Sequence, residues 1–161
     1  MNLDEIAPII EQIIKDTLSE KRYPFGFARY TGVGTKVASG KLRDSVKVEV
    51  MTNDSISYLK VIMLGYAQYV QSGRLPNKKG VPIQPLLEWI KYRRLKGRDA
   101  KGRFITDKSL AFAIRNNIMK FGIRPSNFLD IAIEKIFEDP RIIGLIGDQS
   151  YEELINLIEG I

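Results

Sequence analysis

The chain contains neither cysteine nor histidine, and it has a single tryptophan. Without cysteine, disulfide bonds and thiolate metal sites are excluded. Without histidine, the commonest general base, the commonest metal ligand and the usual switch near neutral pH are missing as well. Function therefore has to be inferred from surfaces and assembly, because the sequence offers no familiar catalytic constellation.

Long apolar runs are also missing. No apolar stretch approaches the roughly 18 residues needed to cross a bilayer. Acidic residues occupy the N-terminal stretch MNLDEIAPII, where a signal peptide would carry basic ones. The 161 residues are enough to bury one sizeable core. We therefore expect a soluble protein that makes no membrane contact.

The positive charge is concentrated in one segment. Residues 74–108 contain eleven Lys and Arg against three carboxylates, whereas the whole chain has a formal charge of only +6. Such a segment attracts polyanions or an acidic partner surface. A solvated, lysine-rich loop that only aids solubility is the alternative, and the sequence leaves both open.

Hydrophobic periodicity predicts several α-helices, an antiparallel β-hairpin and long exposed loops. An amphipathic helix is expected over 3–18, and alternating valines predict a strand at 46–50 paired with a second strand at 56–64. Residues 66–71 fit either a third strand or a helical turn. Three further helices are expected, at 84–95, at 107–120 between an Asp107 N-cap and Gly122, and from a Ser126 or Asn127 cap to Pro140.

The C-terminal segment adds one more helical pattern. Ser150 and Glu153 have the spacing of a capping box, and they precede an apolar run that ends at Ile161. Such a helix can pack on its own domain or on a neighbouring subunit. The basic stretch at 96–104, by contrast, has glycines, charges and little to bury, so we expect an exposed, mobile excursion.

Catalysis receives little support from the residue pattern. Asp130, Glu134 and Glu138 recur at every fourth position of one helix and could supply a metal-dependent nuclease, but salt-bridging surface carboxylates are much the better explanation. The glycines of residues 31–36 lack the spacing and the following helix of a phosphate loop. Tyr92 lies among basic residues and could stack on bases, or it could share a core-facing side with Trp89. We expect no enzyme and no cofactor or metal.

Three segments occur in a fixed order: Thr31–Val50, Gly65–Gly73 and Gly122–Ile136. Their cores read SGKLRDS, YAQYVQSG and RPSNFL. Together they resemble the tail-component family of tailed bacteriophages, the head–tail joining and tail-completion proteins of the virion neck. The first differs from the family pattern by Ser39 in place of threonine, the second by Gln71 in place of an acid, and the third by two inserted residues before Phe128.

The resemblance implies an α+β fold, with a small antiparallel β-sheet packed against several α-helices and with long exposed loops. It also implies that the subunit assembles into a ring around the DNA channel and joins portal to tail. Its expected partners are further copies of itself, portal or adaptor proteins and tail proteins, with non-specific DNA contact in the channel. The protein would be made in the bacterial host cytoplasm and would be located in the virion neck or tail. We expect one domain over residues 1–140 with a basic insertion at about 91–106, followed by a helical extension at 141–161.

Contact with a polyanion or a partner protein is expected from six basic side chains: Arg93, Arg94, Lys96, Arg98, Lys101 and Arg103. Leu42, Arg43 and Tyr69 belong to the three segments, and we expect them to have structural roles. The alternative is a free nucleic-acid-binding protein that uses the basic segment 74–108.

Overall fold

The computed structural model describes residues 3–24, 33–53 and 56–147. In chain order, its elements are α1 (Leu3–Ser19), β1 (Tyr23–Pro24), β2 (Val33–Gly34), α2 (Lys41–Ser45), β3 (Lys47–Asn53), β4 (Ile56–Ile62), α3 (Ala67–Ser72), α4 (Ile83–Arg93), α5 (Asp107–Phe121), α6 (Phe128–Glu138) and α7 (Pro140–Ile146). The fold is α+β, as predicted, with seven helices and small antiparallel pairs of strands in the described part of the chain.

The chain divides into two compact units and passes between them four times. Unit 1 comprises Met1–Ser19, Leu42–Ala67 and Asn127–Ile161. Unit 2 comprises Glu20–Lys41 and Gln68–Ser126. The expected division into residues 1–140 and 141–161 stays a prediction.

Unit 1 is organised around α1. This helix buries one stripe of apolar side chains, which packs on the hairpin of β3 and β4 and on α6. In the hairpin, Val48 lies opposite Val61 and Val50 opposite Leu59, so apolar side chains share one face. The amide of Val48 donates to the Glu11 carboxylate at 3.1 Å. This bond satisfies a strand amide and attaches α1 to β3.

An apolar cavity of about 250 Å³ remains between α1, β4 and α6. It is lined by Ile10, Ile14, Leu59, Val61, Met63, Leu129, Ala132, Ile133 and Ile136. Several of these side chains are almost fully buried, so the cavity is part of the core of unit 1. The helix α7 packs on α1 and α6.

Unit 2 is built on the antiparallel-strand pair β1–β2 and on the packing of α4 against α5. Ile90 of α4 and Ala111 and Ile118 of α5 are buried. Thr106 caps α5, because its hydroxyl accepts the Ser109 amide at 3.2 Å. Asp107 was predicted to be this cap, one residue too late. Gly122 follows the last residue of α5, as predicted.

Several local predictions were wrong or incomplete. The segment 66–71 is helical, and neither α2 nor α7 was expected. Pro140 is the first residue of α7. The Asp139 carboxylate caps this helix by accepting the Arg141 amide. Asn127 precedes α6 without a side-chain cap. The capping box at 150–153 lies outside the described residues.

Candidate binding interface

The helix α4 ends in a left-handed residue. Arg94 has φ 51° and ψ 38°, and its amide donates to the Lys91 carbonyl at 3.1 Å while the Leu95 amide donates to the Ile90 carbonyl at 3.0 Å. This pattern is a Schellman motif, in which glycine is the usual residue at the left-handed position. The arginine therefore stands at a position whose backbone conformation costs roughly 1 kcal/mol for a side-chain-bearing residue.

Residues 97–105 form a compact turn, which we call the basic hairpin. The Ile105 amide donates to the Gly97 carbonyl at 3.1 Å, and the Asp99 amide donates to the Arg103 carbonyl at 2.8 Å. The Gly102 amide donates to the Asp99 carbonyl at 2.9 Å and closes the tip. The segment is largely exposed, as expected, and backbone hydrogen bonds give it a defined turn.

The Asp99 carboxylate organises the tip of the basic hairpin. It accepts the amides of Lys101 and Arg103, each at 2.9 Å, and the Arg103 Nε at 2.9 Å. The Arg103 amide, then its guanidinium, and the Lys101 amide hold the pKa of the Asp99 carboxyl below its usual range. The carboxylate is therefore ionised at neutral pH and fixes the backbone that presents the surrounding cations.

Arg98 lies over an exposed aromatic ring. Its Cζ is 4.0 Å from the centroid of the Phe104 ring, and Nη1 donates to the Gly102 carbonyl at 2.7 Å. Phe104 is 66% exposed, which is unusual for a phenylalanine. The hairpin thus presents a guanidinium plane and an apolar ring together, a combination suited to protein contacts or to a phosphate backbone.

The six predicted contact residues do not behave alike. Five are exposed or partly exposed on the surface that runs from residue 94 to residue 103: Arg94, Lys96, Arg98, Lys101 and Arg103. Lys96 lies 3.9 Å from Asp107, while Arg94 and Lys101 have no side-chain partner among the described residues. These five cations form the candidate interface.

Arg93 has a different position. Its guanidinium donates from Nη2 to the Thr35 carbonyl at 2.8 Å, and burial lowers the pKa of this side chain. Burial, followed by repulsion from Arg93, also lowers the pKa of Lys36, whose Nζ is 5.8 Å from the Tyr23 ring centroid. Burial raises the pKa of Tyr23 to about 12. Arg93 therefore positions the 33–36 segment against the end of α4.

Two of the three family-like segments meet at a crossing of backbones, which we call the glycine joint: Gly73, Arg74, Gly122 and Ile123. The Arg74 amide donates to the Ile123 carbonyl at 2.9 Å, and the Ile123 amide donates back to the Arg74 carbonyl at 2.8 Å. Both glycines have φ of +70°. A Cβ would lie 2.4 Å from the Ile123 oxygen at Gly73 and 2.2 Å from the Arg74 oxygen at Gly122.

Ser126 adds a second connection between the same two segments. Its amide donates to the carbonyls of Val70 and Gln71 at 3.2 and 3.0 Å, and its hydroxyl donates to the Val70 carbonyl at 2.6 Å. These carbonyls belong to the last turn of α3, where helix acceptors have no partner within the helix. Ser126 is buried, so it caps the end of α3 and does not begin α6 as predicted.

In the first family-like segment, one hydroxyl makes two hydrogen bonds. Ser45 Oγ donates to the Leu42 carbonyl at 2.7 Å and accepts the Leu64 amide at 3.2 Å. Leu42 is buried, as its expected structural role requires. Tyr69 is 59% exposed, so the expectation that it sets the packing was wrong. Tyr92 is exposed as well, which excludes a buried position beside Trp89.

The described residues contain no cluster of three or more His, Cys, Asp or Glu able to hold a metal ion. Asp130, Glu134 and Glu138 are exposed along one face of α6 and do not converge. Within the same described ranges, no helix is both long and apolar enough to span a membrane. Comparison with protein-family models, with curated proteins and with solved structures finds no match to this chain.

Proposed function

We propose that this protein is a structural virion protein, a ring-forming subunit of the head–tail connector of a tailed bacteriophage. In this role it joins portal to tail around the DNA channel, in the neck or at the tail-completion position. It acts without catalysis or a cofactor. It would be made in the host cytoplasm, and its partners are its own copies, portal or adaptor proteins and tail proteins.

One observation carries the proposal: two of the segments that resemble the connector family contact each other within unit 2. The glycine joint pairs Gly73 of the second segment, and Arg74 directly after it, with Gly122 and Ile123 of the third. Ser126 caps the helix of the second segment. The two segments are far apart in the sequence, and nothing in their local sequence requires them to contact each other. Their contact in the fold supports interpreting them as parts of one family pattern.

The basic hairpin supplies the contact surface in this proposal. It is exposed, it holds its shape through Asp99, and it combines cations with the open ring of Phe104. Phosphate contacts made by such a surface would be independent of base sequence, as a channel through which a whole genome passes requires. An acidic surface of a portal or tail protein would fit the same hairpin.

Co-assembly tests the proposal. Purified protein mixed with portal-bearing, tailless capsids is expected to sediment with them and to appear as a ring at the portal vertex in electron micrographs. Capsids that lack the portal are the control. Failure to bind any portal, adaptor or tail component would overturn the proposed function.

A variant of the candidate interface makes this test sharper. Arg94→Gly removes one exposed cation and also relieves the left-handed strain, so we expect it to raise the free energy of unfolding by up to about 1 kcal/mol. Combined with Lys101→Gln, it should weaken capsid binding in a protein that is no less stable. Unchanged binding by this double variant would remove the basic hairpin from the contact surface.

A second candidate function is favoured by the charge of unit 2. Its two chain segments contain nineteen Lys and Arg against four carboxylates, which would suit a free nucleic-acid-binding protein. This function requires tight binding of DNA by the isolated protein, with affinity that falls steeply as salt rises. Negligible binding of a 30-base-pair duplex at about 0.15 M salt would reject it.

A further inference from the structure

The helix α5 has apolar side chains on two sides. Ala111 and Ile118 are buried on the side that packs in unit 2. Phe112 and Met119 lie on another side, seven residues and therefore two turns apart, and Ile123 continues their line just beyond the helix. These three side chains are between 37% and 42% exposed. A surface helix is ordinarily polar on the side away from its core, so this second apolar line requires an explanation.

A fourth apolar side chain joins this line from the segment that follows the glycine joint. The Asn77 amide donates to the Met119 carbonyl at 2.7 Å, which attaches that segment to the last turn of α5. The backbone of Leu75 passes over Gly122, 3.1 Å from where a Cβ would lie, and its side chain is 70% exposed. The backbone contacts of the joint therefore fix the position of this leucine. We call the four side chains the outer stripe: Leu75, Phe112, Met119 and Ile123.

Positive charge surrounds the outer stripe. Its members lie within residues 74–80 and 108–126, and these two stretches contain seven Lys and Arg but no Asp or Glu. Charges of one sign around an apolar surface favour a partner of the opposite sign and disfavour one of the same sign. The surroundings of the stripe therefore select for an acidic partner.

The cations lie on both flanks of the outer stripe. On one flank, the Arg115 guanidinium packs on Gly80 so closely that a Cβ there would lie 2.4 Å from its Nε. This contact keeps the exposed Lys78 and Lys79 on the segment beside α5. On the other flank, Lys120 is exposed and projects from α5 at about 80° around the helix from the line of the stripe. The stripe is thus an apolar line between two positive edges.

From this pattern we infer that the outer stripe binds an acidic amphipathic helix of a partner protein. Phe112 and Met119 are about 10 Å apart along α5, and Ile123 is about 6 Å further, so a partner helix of about three turns covers the line. Its apolar side chains at i, i+3 or i+4, and i+7 would contact the stripe. Its carboxylates, on either side of that apolar face, would meet the lysines of the two flanks.

Other classes of partner fit the outer stripe less well. Three of its members are aliphatic and have no ring to stack on bases, which is what apolar groups contribute to a nucleic-acid surface. A membrane surface takes up a broad apolar face, whereas the stripe is one side chain wide and is interrupted by Asn116. A helix is the partner whose apolar face is itself a narrow line. The inference does not depend on the proposed function, because it uses residues outside the basic hairpin.

The experiment measures binding of one designed peptide to the full chain. The probe is an end-blocked, fluorescein-labelled peptide of about 18 residues, long enough to form a helix, with leucines along one face, glutamates on both flanks and alanines elsewhere. Two peptides are controls: one has lysine in place of glutamate, and the other has the same composition in shuffled order. Fluorescence anisotropy at about 0.05 M salt should show saturable binding of the probe and at least tenfold weaker binding of both controls.

Variants that lack single apolar side chains locate the site. Met119→Gln and Leu75→Gln each remove part of the outer stripe, and each should weaken binding of the probe about tenfold. Tyr92→Gln is the matched control, because Tyr92 is an exposed ring of unit 2 outside the stripe, and it should leave the Kd unchanged. Thermal unfolding verifies the fold of each variant. Leu75 lies outside the helices, so Leu75→Gln decides the test if Met119→Gln does not fold.

Variants that lack single charges test the flanks. Lys78→Gln and Lys120→Gln together should weaken binding of the probe at least threefold and reduce its dependence on salt, because they remove one cation from each edge. Lys101→Gln is the control, since it removes a cation of the basic hairpin, and it should have no effect on this peptide. An equal loss with Lys101→Gln would show that the peptide responds to the total charge of the chain, which would overturn the inference.

Three further results would overturn the inference: no saturable binding of the probe, equal binding of a control peptide, or unchanged binding by both Met119→Gln and Leu75→Gln. Duplex DNA and vesicles of phosphatidylcholine and phosphatidylserine are tested in parallel. Binding of either one that Leu75→Gln weakens, without binding of the probe, would assign the stripe to that class and reject a helix. Capsid binding is a separate result. Peptide binding without capsid binding rejects the proposed function alone, and the reverse rejects this inference alone.

Discussion

The glycine joint and the basic hairpin both lie in unit 2, but different interactions stabilise them. At the joint, two backbones approach so closely that no side chain fits, and the contact consists of amides and carbonyls. In the hairpin, a side-chain carboxylate organises the backbone, and Gly102 has open space around it. The two glycines of the joint therefore tolerate no side chain, whereas a side chain at Gly102 of the hairpin would meet no neighbouring atom.

The largest effect is expected at the joint. Gly122→Ala and Gly73→Ala each place a Cβ within 2.4 Å of a backbone oxygen and force a side chain into a left-handed conformation. We expect each to lower the free energy of unfolding by roughly 2–4 kcal/mol, because backbone displacement adds to the conformational cost of about 1 kcal/mol. Thermal unfolding should show a fall in Tm of roughly 5–15 °C.

Two other glycines are matched controls for that prediction. Gly102→Ala in the hairpin meets nothing within 4 Å and should show only the cost of its positive φ, about 1 kcal/mol. Gly144→Ala, inside α7 and also in open space, should be neutral or stabilising by up to about 1 kcal/mol. A Gly122→Ala protein as stable as Gly102→Ala would refute the close approach at the joint.

Ser126→Ala should have the next largest effect. It removes the buried hydroxyl that donates to the Val70 carbonyl at 2.6 Å and leaves that carbonyl only the longer bond from the Ser126 amide, at 3.2 Å. A loss of about 1–2 kcal/mol in the free energy of unfolding is expected from denaturant titration. Ser72→Ala is the control, since its exposed hydroxyl bonds only within α3 and should have almost no effect. Equal losses in the two variants would contradict the cap.

Asp99→Ala should have a local effect. It removes all three bonds that the carboxylate accepts, so exchange of the Gly102 and Arg103 amides should accelerate while Tm changes little. Hydrogen exchange followed by NMR measures both regions in one sample. If amides of the glycine joint were to exchange faster as well, the separation of the two turns would be wrong.

The smallest expected effect is a pH dependence of the backbone conformation at the tip of the basic hairpin. The pKa of Asp99 is lowered in the folded chain, so the stabilisation is present above its ordinary value of 3.8 and is lost as the pH falls through the lower, folded value. The Lys101 and Arg103 amide shifts should therefore be constant from about pH 7 to about pH 5 and move below about pH 4. A transition centred above pH 5 would show that the carboxylate does not bond these amides.

Sequence predicts the parts of this fold that depend on local pattern. The apolar stripe from Ile6 to Leu18 specifies α1, and the alternation of Val46, Val48 and Val50 specifies the hairpin to within three residues at either end. The short helices α2 and α7 are too brief for periodicity to detect. Pro140 was interpreted as a helix end, although proline is equally favoured at a helix start.

The glycine joint and the Ser126 cap depend on contacts between distant segments, which a single sequence does not reveal. The residues before Gly122 predict that it follows a helix. Nothing near it in the sequence predicts that it lies against Arg74. The hairpin, in contrast, had a usable signal. Asp99 and Gly102 occupy the first and fourth positions of a β-turn, where type I turns prefer these residues. The charges of the surrounding residues concealed this signal, so the segment was predicted to be mobile.

The division of unit 1 into three separated segments has a consequence for synthesis on the ribosome. The helix α1 emerges first, but α6, which covers part of its apolar stripe, begins at Phe128. At a translation rate of about 5–20 residues per second, that stripe stays uncovered by α6 for roughly 5–20 s. During this interval the nascent chain presents exposed isoleucines and depends on the β3–β4 hairpin, or on a chaperone, to cover them.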